Sequence, residues 1–151
     1  MKLVIQRVSK ARVDIDGQTV GSIAYGLCAL VGITNTDTHA QCEWMAEKLL
    51  ALRVFADDEG KMNRSLCDTG GGILLVSQFT LYGDLSKGTR PSYIEAARPE
   101  HAEPMFQAFV ALVRTRAASC QPPIDVATGV FGAMMQVHLI NDGPVTIILE
   151  R

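Results

Sequence analysis

Residues 3–23, LVIQRVSKARVDIDGQTVGSI, decide the fold class. LVIQRV and ARVDI are rich in β-branched side chains, which pack well on a pleated surface and lose little freedom there. Between ARVDI and QTVGSI stands Asp16-Gly17, a pair that tolerates the positive φ angles of a two-residue hairpin turn. The chain is therefore expected to open, from Leu3 to Val20, as antiparallel strands joined too tightly for a parallel crossover. The next run, Gly26 to Ile33, is apolar throughout, as suits a strand buried on both faces.

Working outward, the period changes. Cys42, Met45, Ala46, Leu49 and Leu52 fall on one helical face, with Thr38 placed to cap and Gln41 to complete a capping box, so the spacing predicts a helix from about Thr38 to about Leu52. RVFADDEGK reads as a short strand and an acidic turn closed by Gly60, and Gly70-Gly71-Gly72 ends a polar loop. ILLVSQFTLY (residues 73–82) is the strongest strand candidate of the chain. A loop from Gly83 to Ser92 precedes a second helix, Pro99 to Ala117, whose apolar face holds Phe106, Phe109, Val110 and Val113. Pro104 lies early in that helix, where it either kinks it or marks its effective start. After the Pro122-Pro123 break, MQVHLI and VTIILE read as two strands joined through Asn141-Asp142-Gly143-Pro144. The predicted architecture is α+β: a compact, β-rich single domain over residues 1–151, with mixed or antiparallel sheets or a small barrel and two main helices packed outside.

Composition narrows the function. A chain of 151 residues, 48% hydrophobic and 20% charged, suffices for one core. Its formal charge of −2 leaves no overall basic surplus for holding a long phosphate backbone, although Lys87, Arg90 and Arg98 could serve the end of an RNA. Arg7 and Lys10 interrupt what would be the apolar part of a signal peptide, and no run reaches membrane-spanning length, so a cytoplasmic protein is expected. Cys28, Cys42, Cys67 and Cys120 show no C-x-x-C pair and no zinc spacing with His39, His101 or His138. They are read as reduced, unpaired thiols, with no metal and no cofactor.

No G-x-S-x-G elbow, Walker loop, H-E-x-x-H or Rossmann fingerprint is present. Two segments break the pattern around them. In Ser77-Gln78-Phe79-Thr80-Leu81, a strand would place Ser77, Phe79 and Leu81 on one side and Gln78 and Thr80 on the other. The latter two then either share a dry surface or face solvent. In Asn141-Asp142-Gly143-Pro144-Val145-Thr146, the residue types read as a routine turn. His101 and His138 read as a surface residue and a strand side chain.

SQFTL followed by a terminal NDGPVT resembles the paired signature of the D-aminoacyl-tRNA deacylase family. MKLVIQRVSKARVDIDGQTVG, DDEGKMN, KGTRPSY and FGAMMQV are similar to the family in the same order, so the resemblance covers essentially the whole chain. One departure is Met134, where relatives commonly carry Asp. The resemblance implies a cytoplasmic homodimer with its active site at the subunit interface, acting on the 3′ terminal adenosine of aminoacyl-tRNA. Ser77, Gln78, Phe79 and Thr80 would form the catalytic segment. Gly143 and Pro144, with Asn141 beside them and Arg7 orienting them, would bind substrate and select chirality as a cis Gly-Pro wall inserted into the partner's pocket.

On that reading the ester of a D-amino acid or glycine is hydrolysed by water assisted by the ribose hydroxyl. The Phe79 N–H and Ser77 would face the developing oxyanion, and Gln78 and Thr80 would position the substrate. Alternatives are an editing deacylase for a small L-aminoacyl-tRNA, expected if Gly143-Pro144 is trans, a non-enzymatic nucleic-acid-binding dimer, and a serine or threonine hydrolase with a buried His partner.

Overall fold

Strand β1, Lys2–Ile15, is the spine of the protein. The computed structural model describes residues 1–151. The Asp16-Gly17 turn takes the positive φ angles its residue types allow, 49° and 78°, and returns the chain antiparallel as β2, Gln18–Ile23. β3, Gly26–Gly32, continues the same return arm beyond Ala24-Tyr25. β2 and β3 thus share one edge of β1 in succession, from Ile15↔Gln18 through Ala11↔Ile23 to Lys2↔Gly32.

Helix α1, His39–Ala51, follows, with Thr38 at its N-cap: the Thr38 N–H donates to Gln41 Oε1 at 3.0 Å. Short strands β4, Phe55–Ala56, and β5, Met62–Arg64, flank the acidic turn at Gly60. The polar loop before the triple glycine holds a single helical turn that periodicity is too short to reveal, α2, Leu66–Thr69. β6, Gly72–Ser77, pairs parallel with β3; α3, Pro99–Ala118, covers the sheet with Pro104 inside it; and β7, Asp125–Thr128, pairs parallel with β6.

The sheet separates two apolar clusters. Leu3, Ile5, Leu27, Ala29, Val31, Ile73 and Leu75 face the helices, meeting Met45 and Leu49 of α1 and Phe106, Phe109 and Val113 of α3. Val8, Val13, Cys28, Leu74 and Val76 face the other way and form a smaller cluster with Ile23. The continuous apolarity of β3 and β6 follows, because both of their faces are dry. The sheet curls until β7 reaches β2: a Cβ on Gly21 would lie 2.4 Å from the Thr128 carbonyl oxygen, so only glycine permits the approach. The result is a nearly closed, barrel-like sheet, within the predicted α+β class.

Three expectations are corrected. ILLVSQFTLY is a strand only to Ser77, and Phe79–Tyr82 coil into a 3-10 turn. Leu81 and Tyr82 fold back over the end of β3, where a Cβ on Gly32 would lie 3.1 Å from Leu81 Cβ. MQVHLI and VTIILE are not two strands but one, β8, Gln136–Glu150, paired along β1 from Asp14↔Gln136 to Lys2↔Glu150. The cysteines are not all free: Cys67 and Cys120, whose Cα atoms lie 5.2 Å apart, form a disulfide across a separation of 53 residues, leaving Cys28 and Cys42 as buried thiols. Sequence spacing carries no signal for two cysteines that meet only through tertiary packing.

Candidate active site

At the end of β6 the Gln78 N–H donates to the Val31 carbonyl at 2.8 Å, the last backbone bond of the strand before the chain turns. Gln78 then adopts φ −147° and ψ 84° as the lead-in to the 3-10 turn headed by Phe79. A backbone N–H at the head of such a turn has no acceptor within it and is free to meet an incoming oxygen. Gln78 Nε2 donates to Thr80 Oγ1 at 2.5 Å. The two polar side chains do come together, but across a turn rather than on a strand face, and Thr80 is exposed. Ser77 is half-buried below them, and Phe79, 56% exposed, meets Tyr93 edge-to-face with ring centroids 5.1 Å apart. Burial pushes the Tyr82 hydroxyl up from its ordinary range, which keeps it protonated.

The histidines lie elsewhere. His138 Nε2 is 3.2 Å from Asp14 Oδ2, while His101 is exposed in the first turn of α3. Thr80 therefore has a glutamine, not an imidazole, as its neighbour, which does not make a conventional activated nucleophile.

The second signature is a bulge. Between Val8↔Asn141 and Gln6↔Thr146, Asp142, Gly143, Pro144 and Val145 of β8 oppose Arg7 alone. Asn141 holds the bulge shut: its Nδ2 donates to the Arg7 carbonyl at 2.9 Å and to the Val145 carbonyl at 3.0 Å, giving acceptors that the broken ladder cannot satisfy a partner. Arg7 lies beneath. Its Nη1 donates to the Val54 carbonyl, and its Nε lies 3.0 Å from Asp142 Oδ2. That Nε–carboxylate pair is off the line of a hydrogen bond and leaves the Nε–H without a partner, so it acts as an ion pair. Burial raises the Tyr25 hydroxyl's pKa, partly opposed by the Arg7 charge. Gly143 has φ 99°, and a Cβ there would lie 2.1 Å from Arg7 Nη2.

The expected cis Gly143-Pro144 bond is not found: the chain's cis X-Pro bond is Gln121-Pro122, and Gly143-Pro144 is trans. Trans is the favoured isomer of an X-Pro bond by about 0.5–1 kcal/mol, and the bulge accommodates it with glycine at positive φ.

A single chain does not bring the two signatures together. Ser77 aligns with Val31, Val31 with Leu3, and Leu3 with Leu149, six residues along β8 from Gly143. At about 3.3 Å per residue and about 4.8 Å per strand, the separation is on the order of 20 Å. Sequence reasoning missed Val54, Asp142, Tyr25 and Tyr93; each acts through a tertiary contact for which periodicity holds no sign.

The nearly closed sheet, the two helices on one face and the bulged strand β8 along β1 define an α+β class shared by solved proteins. A c-Myc DNA Unwinding Element Binding Protein is 42% identical, with a TM-score of 0.89 over 100% of this chain and 99% of that one. A probable eukaryotic D-amino acid tRNA deacylase, at 16% identity, shares the fold with a TM-score of 0.81 over 98% of this chain and 97% of that one. The family model described as D-Tyr-tRNA(Tyr) deacylase matches residues 4–150. The D-aminoacyl-tRNA deacylase of Chloroherpeton thalassium is 54% identical over 99% of this chain and 95% of its own length; that of Opitutus terrae is 55% identical over 99% and 97%. The chain belongs to the D-Tyr-tRNA(Tyr) deacylase family.

Proposed function

We propose that this chain, a D-aminoacyl-tRNA deacylase by family, hydrolyses its ester at the Phe79 turn of one subunit, closed by the Asp142–Val145 bulge of a second copy. The carrying observation is that two signatures, each built with care, stand on the order of 20 Å apart in one chain. A pocket that uses both must take them from different copies. β8 offers the surface for it: it pairs only with β1, and Ile140 and Ile148, together with Met134 before the strand, are exposed at 50%, 68% and 92%.

In the reaction, water adds to the ester carbonyl carbon, the carbonyl oxygen gains negative charge, and the bond to the ribose 3′ oxygen breaks as that oxygen takes the proton that the water gives up, releasing the free amino acid and the 3′ hydroxyl. The Phe79 N–H, assisted by Ser77, meets the oxyanion, and Gln78 with Thr80 positions the terminal adenosine's ester. The neighbouring ribose hydroxyl helps direct the water. The partner's Gly143-Pro144 occupies the space an L side chain would need; glycine, with no side chain, is accepted. This reading implies an enzyme of the cytoplasm; no helix of the chain is long and apolar enough to cross a membrane.

One observation favours a second reading, a deacylase for a small L-aminoacyl-tRNA: Gly143-Pro144 is trans, the isomer which that reading expects. The names of the curated relatives favour the D-ester. A DNA-binding role like that in the name of the 42% identical structure would have to work without a basic surplus, at a charge of −2. Deacylation of D-tyrosyl-, L-tyrosyl- and glycyl-tRNA by the wild type and Thr80→Ala decides among these. Loss of the D and glycyl esters with the L ester intact, and a largely active variant, is the expected result. Cleavage of the L ester decides for the second reading, and no cleavage decides for a binding protein.

A further inference from the structure

Directly after the catalytic turn the chain forms a closed loop whose cations have no partner in the fold. The Asp84 N–H donates to the Ser92 carbonyl at 2.8 Å and the Ser92 N–H to the Asp84 carbonyl at 2.9 Å, pinning the loop at its base. The Asp84 carboxylate accepts from the Ser86 N–H and Oγ, at 2.8 and 2.9 Å, which holds its carboxyl below the usual range. It is held in place and stays ionised, so its charge remains beside Lys87 and Arg90. Lys87 and Arg90 are exposed, while the protein's ion pairs engage Lys2, Arg7, Arg12, Lys61 and Arg64 instead. Together with Asp84, Ser92, Ile94 and Glu95, these two cations line a cavity of about 240 Å³.

The loop is fastened to the site by packing. Gly83, which ends the turn, sits so close that an added Cβ would lie 3.1 Å from both the Thr80 carbonyl oxygen and Tyr93 Cε1. Tyr93 in turn meets Phe79 edge-to-face, leaving the two rings partly exposed at 39% and 56%. Unpaired cations beside exposed aromatic rings are the two parts of a single-strand nucleic-acid site: cations follow the backbone, and rings take the bases.

Resting on the deacylase reading, we infer that the Lys87–Arg90 cavity holds a backbone phosphate of the substrate's unpaired 3′ tail, just upstream of the terminal adenosine. The Phe79–Tyr93 pair supplies the face for the adjoining base. A protein of net charge −2 cannot hold RNA by its general field, so local cations of this kind must supply the attraction. Glu95 and Asp84, on the same cavity wall, oppose an anion and limit how tightly the tail is held.

The test compares D-tyrosyl-tRNA with D-tyrosyl-adenosine, which has no phosphate, using the wild type, the double variant Lys87→Ala/Arg90→Ala, and Glu95→Gln. The double variant should raise KM for the tRNA ester about tenfold relative to KM for the adenosine ester, with kcat held, and flatten the salt dependence by about 0.7 for each phosphate no longer engaged. Glu95→Gln should shift the same ratio the other way. An unchanged ratio in the double variant, with the wild type active on both substrates, overturns the inference and leaves the deacylase reading standing. A wild type inert on both esters overturns both.

Discussion

Arg7 lies directly beneath Gly143: its Nη2 occupies the place, 2.1 Å away, that a Cβ on Gly143 would need. Gly143 also holds φ 99°, a conformation that costs an L residue about 1–2 kcal/mol. Gly143→Ala should therefore destabilise the protein by about 2 kcal/mol and loosen discrimination between D and L esters. In an Arg7→Ala background the steric part disappears, so the double variant should be less destabilised than the sum of the singles by about 1 kcal/mol in thermal melts. Strict additivity would show that the two residues are not coupled.

Asn141 gives one amide group to the carbonyls of Arg7 and Val145 across the bulge. Asn141→Ala leaves both acceptors without a protein partner and should cost about 1–3 kcal/mol. Asn141→Asp should do no better, because a carboxylate cannot donate to those carbonyls. A variant as stable as the wild type in urea titration would contradict this account of the bulge.

The Met1 amino group, buried, donates to Asp37 Oδ1 at 2.5 Å and to the Arg151 carbonyl at 2.6 Å, and the Thr34 N–H donates to Asp37 Oδ2 at 2.9 Å. Removing one member of a buried charge pair leaves the other uncompensated. Asp37→Ala should cost about 3 kcal/mol, more than Asp37→Asn, which keeps an acceptor oxygen at the site. Equal losses in the two variants would show that the retained oxygen is irrelevant.

Thiol titration checks the cysteines. Burial pushes the Cys28 and Cys42 thiols up to about 11, so at pH 8 the native protein should react slowly or not at all with a thiol reagent. In denaturant without reductant, two thiols should appear, and four after reduction. Four without reductant would mean that Cys67 and Cys120 are not bridged.

Acid stability follows from carboxylates held by hydrogen bonds. Asp14 (chiefly by Thr19), Asp57 (by Asn63), Asp68 (by Ser65) and Asp84 (by Ser86) all have pKa values below the ordinary 3.8. A depressed folded pKa contributes stability that is complete above the unfolded value and lost as pH falls through the folded one. Stability should be flat from about pH 5 upward in this respect and fall below about pH 4. Asp68→Asn should lessen the acid-side slope; an unaltered slope would remove Asp68 from the account.

How much of the molecule is legible in its sequence depends on the range of the interactions. The Asp16-Gly17 hairpin, the capped helix α1 and the apolar face of α3 are written in neighbouring residues and stand as the spacing predicts. The 3-10 turn at Phe79 is hidden because an apolar run of this length suits a strand or a turn equally. Only the approach of Leu81 and Tyr82 to Gly32 selects between them. The bulge looks like a turn between two strands for a related reason: Asn-Asp-Gly-Pro says that the chain bends, not that β1 is long enough to pair on both sides of the bend. Ser77, Gln78, Thr80, Asn141, Gly143 and Arg7 are visible as breaks in pattern and as family resemblance. Their distance from each other in one chain is not, since register is a property of the whole sheet.

The central claim is that each active site joins the Phe79 turn of one copy to the Gly143-Pro144 bulge of another. Two inactive chains test it directly: Phe79→Pro, which deletes the N–H offered to the oxyanion at a position where proline fits the head of a turn, and Pro144→Trp, which fills the partner's pocket. Phe79→Ala, which keeps the N–H, serves as the control for loss of the ring. When the two inactive chains are co-expressed, a mixed dimer places both lesions in one site and leaves the other site intact. About a quarter of the wild-type rate on D-tyrosyl-tRNA should return, with about half the dimers mixed and one good site in each. Activity no greater than that of either variant alone would contradict the account, because it would place both signatures of each site in the same chain.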